Sequence, residues 1–100
     1  LDATEIILDK FNLEQNFPNP FNSVTTIYYT LVDNTNVKFE IIDINGRLIN
    51  TLVNENQTKG LKSITWDGKD QFGNFAKSGV YFYRLKTKNN DKTKKLVFIK

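Results

Sequence analysis

The stretch Val37-Lys38-Phe39-Glu40-Ile41-Ile42-Asp43-Ile44-Asn45-Gly46-Arg47 decides the fold class. Val37, Phe39 and Ile41 alternate with Lys38 and Glu40, the period of a strand with one face buried and the other in water. Asn45-Gly46 then supplies the residue pair most willing to take positive φ, so the strand runs into a tight hairpin and Arg47 to Val53 returns beside it. Immediately upstream, Val24 to Val32 repeats the alternation. Ile27, Tyr29 and Leu31 share one face, Thr26, Tyr28 and Thr30 the other, and Asp33-Asn34 turns the chain.

Further out, Asn54 to Gly60 is polar and reads as a loop, and Leu61 to Trp66 reads as a strand with Ile64 and Trp66 on one face. Asp67-Gly68-Lys69-Asp70-Gln71-Phe72-Gly73-Asn74 is dense in turn formers. Val80 to Lys86 alternates again, with Tyr81, Tyr83 and Leu85 on one side, and Asn89-Asn90-Asp91 turns into a closing strand. Residues 1–10 read as a lead-in or linker from an upstream passenger, with Ile6-Ile7-Leu8 as a candidate first strand, and Phe11 to Glu14 as extended. No window carries a sustained helical stripe. The expectation is an all-β chain: an immunoglobulin-like antiparallel β-sandwich of about seven strands, one domain over residues 11–100.

Composition narrows the chemistry. At 100 residues the chain buries only about two thirds of its unfolded surface, which leaves little room for a deep active site. Histidine, cysteine and methionine are absent, removing thiol nucleophiles, histidine bases, the usual zinc ligand sets and disulfides. Without methionine the chain cannot begin at its own initiator, so Leu1 reads as a cut end. The first ten residues lack the basic start and apolar core of an export signal, which for an exported parent would lie upstream. No stretch approaches transmembrane length. The net charge of +3 is uneven: Arg84, Lys86, Lys88, Lys92, Lys94, Lys95 and Lys100 stand against Asp91 alone. That imbalance reads either as an attraction to an acidic partner or as a solvated edge hairpin whose lysines discourage aggregation.

Each candidate for chemistry has an ordinary counterpart. Asp67 and Asp70, with Asn74 nearby, offer oxygen ligands for calcium but lack the full alternating ligand set, and the plainer reading is that they hold the turn through backbone amides. Paired carboxylates also suggest glycoside hydrolysis, for which a turn this tight offers no sugar-sized cleft. Trp66, Tyr81 and Tyr83 beside a basic end suggest stacking on sugars or bases, against the plainer account that they fill the core. No cofactor, no metal and no nucleic acid are expected, and no residue set points to an enzyme.

Two segments stand out for recognition. Lys94-Lys95-Leu96-Val97-Phe98-Ile99-Lys100 is an apolar run bracketed by lysines, too continuous to declare its inner face. It either closes the sandwich or keeps a face or edge for a partner that adds its own strand. Val80 and Phe82 point outward if Tyr81 and Tyr83 point in, as do Tyr28 and Ile42 on their strands. A contiguous set of these would mark a docking surface.

Taken in order, several segments resemble a known family. Asn16-Phe17-Pro18-Asn19-Pro20-Phe21-Asn22, Ile42-Asp43-Ile44-Asn45-Gly46-Arg47, Trp66-Asp67-Gly68-Lys69-Asp70-Gln71-Phe72-Gly73, Ser78-Gly79-Val80-Tyr81-Phe82-Tyr83-Arg84-Leu85 and Lys95-Leu96-Val97 are similar to the type A C-terminal sorting domain of the type IX secretion system. The resemblance spans Phe11 to Lys100. The tryptophan-aspartate-glycine turn and the glycine-x-tyrosine strand also resemble the immunoglobulin-like domain of flagellar hook-capping proteins. Ser23 departs from the pattern, since many relatives continue there with proline.

The resemblance implies a non-catalytic address carried by an upstream passenger. The passenger would reach the periplasm by general export, cross the outer membrane through a translocon or shuttle protein, and arrive at the cell surface, where a sortase removes the domain. On this reading Lys95, Leu96, Val97, Phe98, Ile99 and Lys100 form the main recognition element, supported by Gly79, Val80, Tyr81, Phe82 and Tyr83. The proline-asparagine segment would lay Phe17 and Phe21 against the sandwich and cover an otherwise open edge. The alternative is an immunoglobulin-like structural, adhesive or carbohydrate-binding module of an extracellular protein, in the last case with Trp66 against the glycan.

Overall fold

The computed structural model describes residues 10–100. The expected strand at Ile6-Ile7-Leu8 lies outside the described residues. Seven strands appear among them: β1 (Asn12–Leu13), β2 (Thr25–Leu31), β3 (Thr35–Asp43), β4 (Leu48–Gln57), β5 (Gly60–Trp66), β6 (Gly79–Lys86) and β7 (Asp91–Phe98). They build two antiparallel sheets, one in the order β1-β2-β5 and one in the order β4-β3-β6-β7. The sheets face each other across a core fed by every second residue, as the alternation dictates. Ile27, Tyr29 and Leu31 from β2, Val37, Phe39 and Ile41 from β3, and Tyr81, Tyr83 and Leu85 from β6 are all buried. Among the described residues no helix is long and apolar enough to cross a membrane.

The hairpin after β3 departs from the sequence expectation in mechanism. Asn45 keeps negative φ, and only Gly46 is left-handed, at φ 82°. Gly46 N–H bonds Asp43 C=O at 3.0 Å and Asp43 N–H bonds Arg47 C=O at 2.9 Å, a three-residue loop closed by a glycine bulge. The Asp43 carboxylate accepts from the N–H groups of Arg47 (2.9 Å) and Asn45 (2.8 Å). Those bonds, the Arg47 amide first, hold the carboxyl below its ordinary range.

β4 corrects a second expectation. The polar run Asn54 to Gly60 is not a loop: β4 continues through Gln57, β5 starts at Gly60, and only Thr58 and Lys59 connect them. β4 is an edge strand, so this end of it needs no apolar face. Cross-strand polar contacts serve instead, with Asn36 Nδ2 donating to Asn56 Oδ1 at 3.3 Å and the Tyr29 hydroxyl donating to Gln57 Oε1 at 2.7 Å.

The proline-asparagine segment switches sheets. Phe17 exchanges two main-chain bonds with Thr26 of β2, each 2.9 Å, whereas four residues later Phe21 bonds β7 through Val97 C=O (3.1 Å) and Ile99 N–H (2.9 Å). Prolines at 18 and 20 suit this crossing, because each lacks the N–H that a central strand would have to use. The strap is pinned from within. Phe21 packs on Phe98 and Trp66 at centroid distances of 4.9 and 5.6 Å. Buried Asn16 donates to Thr25 Oγ1 at 3.0 Å, and Thr25 Oγ1 donates to Pro18 C=O at 2.8 Å. Tyr83, with no exposed surface, donates its hydroxyl to Glu14 C=O at 2.8 Å and accepts from Asn16 N–H at 3.0 Å. Phe17 differs from expectation: it is 79% exposed, because its main chain is spent on Thr26 and its ring points away from the sandwich.

Phe21 and Phe17 therefore separate in stability. Phe21→Ala is expected to cost about 3–5 kcal/mol in urea unfolding, the scale of a buried aromatic, and Phe17→Ala to stay within about 0.5 kcal/mol. The Tyr83 hydroxyl is pushed up to about 12, first by burial. Above pH 10 the unfolded chain loses this proton before the folded one, so stability falls as pH rises from about 10 toward 12. Tyr83→Phe should make that alkaline slope shallower while costing about 1–3 kcal/mol at neutral pH, since Asn16 N–H and Glu14 C=O lose their partner.

Candidate functional site

The two recognition segments proposed from sequence are neighbours. β6 and β7 pair so that Gly79 faces Phe98, Val80 faces Val97, Tyr81 faces Leu96 and Phe82 faces Lys95. Alternation then splits the set. Tyr81, Tyr83, Leu96 and Phe98 point into the core and are buried, so they support the fold and cannot touch a partner without unfolding. Val80, Phe82, Lys95 and Val97 point outward, and β7 is not buried on both faces. Ile99 lies beyond the strand and is 52% exposed, and Lys100 N–H donates to Ser78 Oγ at 2.8 Å.

The edge of β7 at this end is occupied by the strap. Val97 N–H donates to Asn19 Oδ1 at 3.0 Å, Val97 C=O accepts from Phe21 N–H at 3.1 Å, Ile99 N–H donates to Phe21 C=O at 2.9 Å, and Gln15 Nε2 donates to Lys95 C=O at 2.8 Å. An added partner strand along Lys95 to Ile99 would first have to displace these bonds. Covering of an edge was legible in the proline-asparagine segment, but not that the edge is the one at Val97 and Ile99.

What remains open is a face. Leu48 of β4 lies opposite Ile42 of β3, Ile42 opposite Phe82 of β6, and Phe82 opposite Lys95 of β7. Direct partners stand about 4.5–5.5 Å apart at Cβ, so this is one continuous row across four strands. Val80 and Val97 form the next row. Of the outward set named from sequence, Ile42, Val80 and Phe82 cluster, while Tyr28 lies on the other sheet. Leu48 was missed, because its strand has no clean alternation.

Charge frames this face without making a stripe. The Arg84 guanidinium pairs with both Asp91 oxygens, the Nε bond being 2.9 Å, and the pair pushes Arg84 up and Asp91 down. Lys38 meets Glu40 at 3.7 Å. Lys92 lies over the ring of Phe11 at 5.7 Å, and Lys88 sits in the turn at the far pole. Of the lysine-rich end, Lys86 lies opposite Lys38 and Lys95 opposite Phe82 on this face, whereas Lys92 and Lys88 lie elsewhere.

The aspartate turn is occupied by its own backbone. Asp67 Oδ1 accepts Lys69 N–H at 3.1 Å, and Asp70 Oδ1 accepts Phe72 N–H (2.9 Å) and Asn74 N–H (3.0 Å). Trp66 is 1% exposed and its indole N–H donates to Lys69 C=O at 2.9 Å, so it offers no platform to a glycan. Its ring lies among Phe21, Tyr81 and Phe98, at 5.5 to 5.8 Å.

Comparison with known proteins places this architecture. The family model described as the FlgD Ig-like domain matches residues 11–91. Among solved structures, dimeric latent PorU from Porphyromonas gingivalis aligns with a TM-score of 0.68 and 26% identity over 85% of this chain and 9% of its own. FlgD from P. aeruginosa aligns at TM-score 0.59 and 29% identity over 74% of this chain and 57% of its own. PorZ, a surface component of the type IX secretion system of P. gingivalis, shares the fold at TM-score 0.58 and 21% identity over 93% of this chain and 12% of its own. The comparison with curated proteins returns no match.

Gly68 is the contact that carries the aspartate turn onto β7. Its φ is 78°, and a Cβ there would lie 2.5 Å from Phe98 Cζ. Gly73 is also left-handed, at 86°, but with open space around it. Gly68→Ala is expected to cost about 2–4 kcal/mol and Gly73→Ala about 1 kcal/mol in chemical unfolding, the difference reporting the Phe98 contact.

Proposed function

We propose, for a chain that belongs to the FlgD Ig-like domain family, that it serves as a non-catalytic secretion-signal domain of the type IX kind. It would direct a passenger across the outer membrane and then be removed by a sortase. The similarity to PorU over most of the chain and the shared fold with PorZ support an exported or surface protein. The observation that carries the reading is the register of β6 with β7, which turns the two segments singled out by the resemblance into one outward face. With the β7 edge taken by the strap, reading proceeds through side chains: Ile42, Leu48, Val80, Phe82 and Val97, with Lys95 at the rim. A translocon or shuttle protein would meet this face. The domain is substrate and ligand of that machinery, and not an enzyme.

A second reading has its own support. The family match and the 29% identity to FlgD favour a structural Ig-like module with no sorting role.

Fusing residues 11–100 behind an export signal and a reporter, in a host with the type IX machinery, separates the two. A sorting domain delivers the reporter to the surface, and a structural module leaves it in the periplasm. Within the sorting reading, Ile42→Thr with Phe82→Thr should reduce surface delivery severalfold with the domain still folded. Full delivery by that folded variant would exclude the face as the recognition element.

A further inference from the structure

The pole opposite the aspartate turn gathers the turns after β2, β4 and β6. Asn34 Oδ1 accepts Lys59 N–H at 2.9 Å, tying the first turn to the second. Thr35 Oγ1 accepts Lys88 N–H at 3.4 Å, tying it to the third, which is closed by Thr87 N–H to Asn90 C=O at 2.8 Å. These bonds form the pole before any ligand arrives.

Between the turns lies an open cleft of about 600 Å³, within the size range of small-molecule sites. Among the described residues its wall is formed chiefly by the amides of Asn34, Asn36, Asn56 and Gln57 with Lys88, while Lys62 stands behind it, donating Nζ to Thr58 Oγ1 at 3.0 Å. Gln57 is locked, its oxygen accepting from Tyr29 and its nitrogen donating to Glu55 at 3.2 Å. Asn36 and Asn56 are not. One amide bond of 3.3 Å joins them, and among the described residues neither has another side-chain partner. Such a pair presents one carbonyl oxygen and several N–H groups side by side, the pattern that a pair of neighbouring hydroxyls satisfies by donating to one amide and accepting from the other. A second cleft of about 200 Å³ shares Asn34, Thr35 and Lys88 and is completed by Asp33, Asn89 and Asn90, with Phe11 and Leu31 buried beneath it.

The chemistry discriminates among ligands. A phosphate or sulfate calls for several converging cations or a guanidinium fork, whereas Lys88 has no arginine beside it in the wall and the Lys62 ammonium is engaged by Thr58. An apolar ligand would desolvate the amides without replacing their bonds. We infer that this pole is a carbohydrate site, taking a neutral oligosaccharide with a hydroxyl pair across Asn36 and Asn56. The site is separate from the outer face of β6 and β7 and stands whether or not that face is read by a secretion machinery.

Amide chemical shifts of the full 100-residue chain, followed during titration with cellobiose, maltotriose, chitobiose and mannotriose, test it. At least one of these should give saturable shifts at Asn36, Asn56, Thr58 and Lys88. Asn36→Ala with Asn56→Ala should then weaken binding about tenfold, the scale of one or two hydrogen bonds, with an otherwise unchanged spectrum. No saturable shifts with any sugar up to high millimolar concentration would overturn the inference. So would equal affinity in the double variant, or saturation by inorganic phosphate in place of sugar.

Discussion

The docking of Phe21 into the seam between the sheets, with its main chain bonded to β7, is the constraint on which the rest of the structure depends. It brings a segment that starts on one sheet across to the other, and so closes one long side of the sandwich. The aromatic cluster of Phe21, Trp66, Tyr81 and Phe98 is the hydrophobic reason for that closure. The polar groups that the crossing buries are all bonded: Asn16 to Thr25, Thr25 to Pro18, and Tyr83 to both Asn16 and Glu14. A buried network of this kind is stabilising only when complete, and among the described residues no buried side-chain donor or acceptor lacks a partner.

The other long side is managed by charge. β4 and β5 are both edge strands, and each turns a charged residue toward the inside of the sandwich. Glu55 lies opposite inward Val37, and Lys62 opposite inward Tyr29. Inward charges on an edge discourage a second chain from adding a strand, since pairing would bury them. With one side strapped and the other guarded, main-chain recognition is disfavoured around the sandwich. The side chains of the four-stranded face, among them Ile42, Val80 and Phe82, are then the part of the sandwich left open to contact.

Much of this was legible in the sequence where burial on one face forces a period of two. β2, β3 and β6 show their inner residues directly, and all of those are buried. β4 was only half legible, because an edge strand with polar inner positions looks like a loop. The closing run at Leu96 to Ile99 hid its inner face until its register with β6 fixed Leu96 and Phe98 inside. The role of the strap was visible in its prolines, but its target was not: the bond from Val97 to Asn19 spans 78 residues, a distance over which local pattern carries no information. The opposite behaviour of Phe17 and Phe21, alike in sequence and flanked by the same prolines, has the same cause. The outer face was legible in part, since Ile42, Val80 and Phe82 were identifiable as outward, while their adjacency depends on strand order.

The central claim is that this chain itself occupies the edge of β7 at Val97 and Ile99. Native-state hydrogen exchange at those two amides tests it most directly, because each donates to the strap. The account predicts strong protection at both in the isolated domain. Exchange at both near the rate of an unstructured chain, in an otherwise protected sandwich, would contradict it.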